Sequence, residues 1–118
     1  MKRIQINKNI SKESVIGTSL IGYILLTYDQ LVKIFGEPNS LGDQYKVDWE
    51  WVLKLNDTVI TIYNYKTGPC YLKQEGIRPQ NINDWHVCGK FVHDLKILED
   101  YIIQEYPEYT DKKLTIAE

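Results

Sequence analysis

Residues Tyr45 to Leu55 alternate in character: Val47, Trp49, Trp51, Leu53 and Leu55 fall on one side, and Lys46, Asp48, Glu50 and Lys54 on the other. Successive side chains of a β-strand point to opposite faces, so a period of two specifies a strand with one buried and one wet face. Asn56-Asp57 separates this run from Thr58-Val-Ile-Thr-Ile-Tyr-Asn-Tyr65, which is rich in β-branched and aromatic residues. Two such runs across a two-residue polar break read as a tight β-hairpin. The hairpin also holds two of the three tryptophans and three of the nine tyrosines, so the core and any aromatic surface are both built around it.

The flanking segments add helices. Thr27 reads as an N-cap, with Gln30 three residues on completing a capping box. Leu31, Val32, Ile34 and Phe35 form the apolar stripe of a helix of about two turns, Gly36 is placed as its left-handed C-terminal cap, and Pro38 stops it. Ser19 to Leu26 reads as a strand leading into that helix. Asp84 to Gly89 reads as a short strand with Trp85 and Val87 on one face and His86 and Cys88 on the other. A second helix is expected over Val92 to Gln104, from the spacing of Val92, Leu95, Leu98, Tyr101 and Ile102. Residues 70–83, broken by Gly76 and Pro79, read as an irregular loop, long for a compact domain.

The element order is β-α-β-β-β-α. It predicts an α+β fold: an antiparallel sheet of three or four strands with two helices packed on one face. Its 118 residues make a single domain, with 1–17 an N-terminal arm or edge strand and 107–118 a polar tail that frays.

Charge and cysteine usage narrow the function classes. Fourteen Lys and Arg against sixteen Asp and Glu leave a net charge of −2, which argues against duplex nucleic acid, a partner usually met by a basic face. Cys70 and Cys88 make no disulfide framework. The longest apolar stretch, Val15 to Leu26, is interrupted by Gly17, Thr18, Ser19 and Gly22 and falls short of the ~20 residues a membrane helix needs. The expected setting is intracellular and reducing, without a membrane.

Three constellations carry chemistry. The first is aromatic and basic: Tyr45, Lys46, Tyr63, Tyr65, Lys66, Trp85, His86 and Lys90. Bases stack on rings and ammonium groups meet phosphates, so this set suits a nucleotide-like ligand or a partner surface. For Trp49, Trp51 and Trp85 the simpler place is the core. The second is His86, Cys88 and His93, with Cys70 as a further metal ligand or Asp84 as a further hydrolase residue. Such N and S donors suit zinc, or a Cys–His nucleophile pair in a small hydrolase, yet the spacing follows no standard zinc pattern. The third is Asp48 and Glu50, about 7 Å apart if they share a strand face, a separation at which two acids can flank a substrate. Lys46 and Lys54 share that face, so a solvated row of alternating charges explains the pair without catalysis. No phosphate loop or dinucleotide glycine pattern occurs, and no cofactor is expected.

The blocks Thr27-Tyr-Asp-Gln-Leu-Val-Lys-Ile-Phe-Gly-Glu-Pro38, Tyr45-Lys-Val-Asp-Trp-Glu-Trp51, Ile60-Thr-Ile-Tyr-Asn-Tyr-Lys-Thr-Gly68 and Ile82-Asn-Asp-Trp-His-Val-Cys-Gly89 together resemble a family of small proteins of bacteriophages and large DNA viruses. That resemblance covers about residues 20–100 and implies a source, but no catalytic residues. Residues 27–65 are also similar to BamE and β-lactamase-inhibitor type domains, in which a short helix ending in Gly-x-Pro leads into a β-meander. Both likenesses imply a binding or inhibitory protein. The leading expectation is a non-enzymatic viral accessory or counter-defence factor that sequesters a host protein or a small nucleotide. The alternatives are a small hydrolase or metal-dependent enzyme using His86 and Cys88, and a virion or assembly component that self-associates through an exposed hairpin edge.

Overall fold

The computed structural model describes residues 3–10, 15–40, 42–43, 45–109 and 114–117. Its centre is the expected hairpin, β3 (Glu50–Leu55) and β4 (Thr58–Tyr63), paired antiparallel from Glu50↔Tyr63 to Leu55↔Thr58. Asn56 takes a positive φ of 52° in the turn, a conformation asparagine tolerates well. The other strands are β1 (Ile6–Asn7), β2 (Ser19–Ile24), β5 (Trp85–Gly89) and β6 (Leu114–Ile116). Among the described residues they form one six-stranded sheet in the order β1-β3-β4-β5-β2-β6, with every pair antiparallel.

The fold is thus α+β with an antiparallel sheet, and the sheet is larger than the three or four strands expected. The two additions are its edges. The N-terminal arm supplies β1 against β3, pairing Ile6 with Leu55. The tail supplies β6 against β2, pairing Gly22 with Ile116, so residues 114–116 are a strand where fraying was expected; 110–113 lie outside the described residues. Of the arm, residues 1–2 and 11–14 also lie outside them. The first edge is one of the two readings expected for the arm; the second was missed because a three-residue strand carries almost no periodic signal.

Both longer helices cover one face. In α1 (Tyr28–Phe35), Thr27 N–H donates to Gln30 Oε1 at 2.9 Å and Gln30 N–H to Thr27 Oγ1 at 3.1 Å, completing the expected capping box. Gly36 ends the helix at φ 83° and ψ −173°, a region essentially reserved for glycine. Its carbonyl accepts the Trp51 indole N–H at 2.8 Å, which ties the helix end to the middle of β3. The second helix, α3 (Asp94–Glu105), starts two residues later than expected, because Phe91 N–H and the Asp94 carboxylate close its first turn. Leu31, Ile34 and Phe35 of α1 and Leu95, Leu98, Tyr101 and Ile102 of α3 bury against Trp51, Leu53, Leu55, Ile60, Ile62, Trp85 and Val87 of the sheet. Residues 70–83, expected to be irregular, fold into a short helix α2 (Pro69–Leu72) and two single 3₁₀ turns. No described helix is long and apolar enough to cross a membrane.

The strand beginning at Tyr45 needs one further correction. β3 starts at Glu50, and Asp48 and Glu50 are only 6% and 9% exposed. The solvated row of alternating charges does not form. Residues 45–49 instead fold as a loop that brings Asp48 inside.

Candidate binding face

The face opposite the helices is set by register. β4, β5 and β2 lie side by side, with Tyr63 opposite His86 and His86 opposite Tyr23. In a sheet, directly opposed residues share a face and touch, so these three side chains make a row across three strands. The His86 ring lies 5.0 Å from Tyr23, edge-on at 90°, and 5.5 Å from Tyr63. Tyr65, two residues past Tyr63, keeps the same side and comes within 5.4 Å of His86, tilted by 30°. Three tyrosines therefore surround one imidazole.

A second pair of rings continues the surface. Tyr45 and Tyr71 meet edge-on at 5.5 Å. Lys66 Nζ sits 5.3 Å from the Tyr65 ring centroid and 5.5 Å from that of Tyr71, so one ammonium borders both groups of rings. Lys46 Nζ lies 5.5 Å over Tyr45 at the outer end. Tyr45 is 56% exposed and Tyr65 37%.

A buried polar knot holds these segments together. Asn64 is fully buried directly after β4. Its Oδ1 accepts the Asp48 and Trp49 amides at 2.8 and 2.9 Å, and its Nδ2 donates to Asp48 Oδ1 at 3.1 Å and Thr67 Oγ1 at 3.3 Å. The other Asp48 oxygen accepts the Cys70 amide at 2.9 Å. Gly68 packs so closely on this carboxylate that a Cβ there would collide with Asp48 Oδ1. Lys66 N–H donates to the Lys46 carbonyl at 2.7 Å, which sets Tyr45 and Lys46 beside Tyr65 and Lys66. Buried polar groups survive folding when each is satisfied, and this set specifies one arrangement of the 45–49 and 64–71 segments.

Burial favours the neutral forms of three side chains on this face, His86, Cys88 and Tyr63. Burial lowers the His86 pKa, against a smaller opposite pull from Asp84. Burial raises the Cys88 thiol, whose Sγ lies 3.2 Å from the Tyr63 hydroxyl, and it raises Tyr63 as well. A nucleophilic or metal-binding cysteine has its pKa depressed, and here it moves the other way. The His93 ring stacks on Phe91 at 5.2 Å, at the start of α3. Among the described residues no three His, Cys, Asp or Glu side chains come together as a metal site.

Six of the eight residues expected to bind thus meet: Tyr45, Lys46, Tyr63, Tyr65, Lys66 and His86. Trp85 does not, because it points to the helix side of β5, is 0% exposed, and packs against Trp51 at 5.4 Å. Its indole N–H has no hydrogen-bond acceptor among the described residues. Lys90 follows the far end of β5, where it lines a cleft with Asp57, Thr58, Val59, Phe91 and Asp94. Asp48 belongs to the knot, and Glu50 accepts the Ser40 hydroxyl at 2.7 Å, so the two carboxylates do not face a common substrate. Sequence reading missed Tyr23 and Tyr71. Tyr23 had a detectable signal, an aromatic in an apolar run whose pairing partner was unknown; Tyr71 lay in the stretch read as irregular.

Compared with protein-family models, curated proteins and solved structures, the chain matches none of them.

Proposed function

We propose that the chain is a non-enzymatic binding protein that holds a nucleotide-like ligand on the aromatic face. The observation that carries this reading is the row Tyr23–His86–Tyr63 with Tyr65 beside it and the Lys66 ammonium at its edge. Rings suit the flat faces of bases, the uncharged imidazole adds another, and the ammonium suits a phosphate. The neutral thiol and imidazole support binding over nucleophilic chemistry. The sequence likeness to proteins of bacteriophages and large DNA viruses gives such binding a purpose, sequestration of a host nucleotide as an accessory or counter-defence factor. A host protein as partner is the second reading, favoured by the exposure of Tyr45 and Tyr65, since tyrosines anchor many protein interfaces.

Calorimetric titration with AMP, GMP, CMP and UMP tests the first reading. At least one should bind the wild type, and Tyr65→Ala should weaken it roughly tenfold, the value of one stacked base, with the melting temperature nearly unchanged. No binding of any nucleotide, with a host protein retained by wild type and lost from Tyr65→Ala, would move the conclusion to the protein partner.

A further inference from the structure

We infer that the ligand of this face is a linked pair of nucleotides, two bases joined through a phosphodiester. The inference rests on the nucleotide reading above and adds the size and charge pattern of the ligand. The rings fall into two groups: Tyr23, Tyr63, Tyr65 and His86 on the sheet, and Tyr45 with Tyr71 beyond it. The Lys66 ammonium stands between them, 5.3 Å from one group and 5.5 Å from the other.

The surface therefore reads platform, cation, platform. A dinucleotide reads base, anion, base, because the phosphodiester with its single negative charge lies between the two sugars. The orders coincide. A single nucleotide would occupy one platform and Lys66, leaving the other rings exposed. Lys46 supplies a second cation at the outer end, over Tyr45, where a further phosphate of a strand would fall.

The backbone supports the same assignment. Lys66 holds a positive φ of 60°, uncommon for a residue other than glycine, which fixes where its side chain leaves the chain. The Lys66–Lys46 backbone hydrogen bond and the Asp48–Asn64 knot fix the separation of the two ring groups, so little ordering remains to be done on binding.

Titration of the full chain with AMP, with adenylyl-(3′,5′)-adenosine and with the hexanucleotide of adenosine tests the proposal. The dinucleotide should bind about tenfold tighter than AMP, although it carries less negative charge. Tyr45→Ala and Tyr71→Ala should each remove most of the dinucleotide's advantage, weakening the dinucleotide by more than they weaken AMP. The exposure of Tyr45 makes its variant safe for folding, and melting curves check both. Equal affinities for AMP and the dinucleotide in wild type would overturn the linked-pair inference while the nucleotide reading stands. Binding of neither, with GMP, CMP and UMP also unbound, would overturn both. A hexanucleotide tighter than the dinucleotide supports the linked pair as a step of a single strand, and equal affinity supports it as a free dinucleotide.

Discussion

His86 shows how one residue reports on the whole face. Burial lowers its pKa, so in the folded state it resists protonation more than in the unfolded chain. The sign follows: at pH well above about 6.5, the ordinary histidine value, the group is neutral in both states and costs nothing. As pH falls through that value the unfolded chain takes up the proton first, and the folded state loses stability until its own lowered pKa is reached. The melting temperature should therefore drop between pH 7.5 and 5.5 by more in wild type than in His86→Asn. Equal drops in the two proteins would mean that the imidazole is not held neutral by its surroundings.

Lys66 separates structural from binding roles at the same scale. A left-handed conformation costs an ordinary residue about 1–2 kcal/mol, which glycine avoids. Glycine in turn loses more freedom on folding, and the exposed cation–π contacts that disappear are worth about 0.5–1 kcal/mol. These offset to near zero, so Lys66→Gly should melt where wild type does. It should nonetheless weaken the nucleotide ligand roughly tenfold, through the lost ammonium–phosphate contact. A variant that melts normally and binds normally would remove Lys66 from the site.

Among the elements, the hairpin and α1 were the most legible. The hairpin has a long period-two run on each side of its turn, and α1 carries its own start and stop signals in Thr27, Gln30, Gly36 and Pro38. What the pattern did not separate was the true start of β3. Val47, Trp49 and Trp51 keep the alternation going, but the pairing partners of β3 begin only at Tyr63, so residues before Glu50 have no strand to bond and turn inward. Asp48 is inside for that reason, and Asn64 is the residue that satisfies it. Asn64→Ala would leave the Asp48 and Trp49 amides without their acceptor and the carboxylate one donor short. Each buried group left unsatisfied costs about 1–3 kcal/mol, so denaturant unfolding should show a loss of about 3 kcal/mol. A loss well under 1 kcal/mol would mean that water replaces the amide and that the knot does not hold the 45–49 loop.

At the scale of the whole molecule, the sequence by itself determined the class of fold and which face of the central strands meets the helices. Trp51, Leu53 and Leu55, then Ile60 and Ile62, then Trp85 and Val87 all turned out on the helix side, because strand periodicity is local and a large apolar side has one place to go. It also nominated six of the residues that meet on the opposite face. Only the tertiary structure decided that they meet. Tyr23 and His86 are distant in sequence, and they touch because β2 returns across β5, beyond the reach of any local pattern. The two edge strands likewise exist only against partners, Ile6 on Leu55 and Ile116 on Gly22. Trp85 makes the same point in the other direction. As an aromatic next to a histidine it was equally suited to core or site, and the orientation of β5, which alternates its side chains between two chemically different faces, sent Trp85 inward and left His86 to the tyrosines.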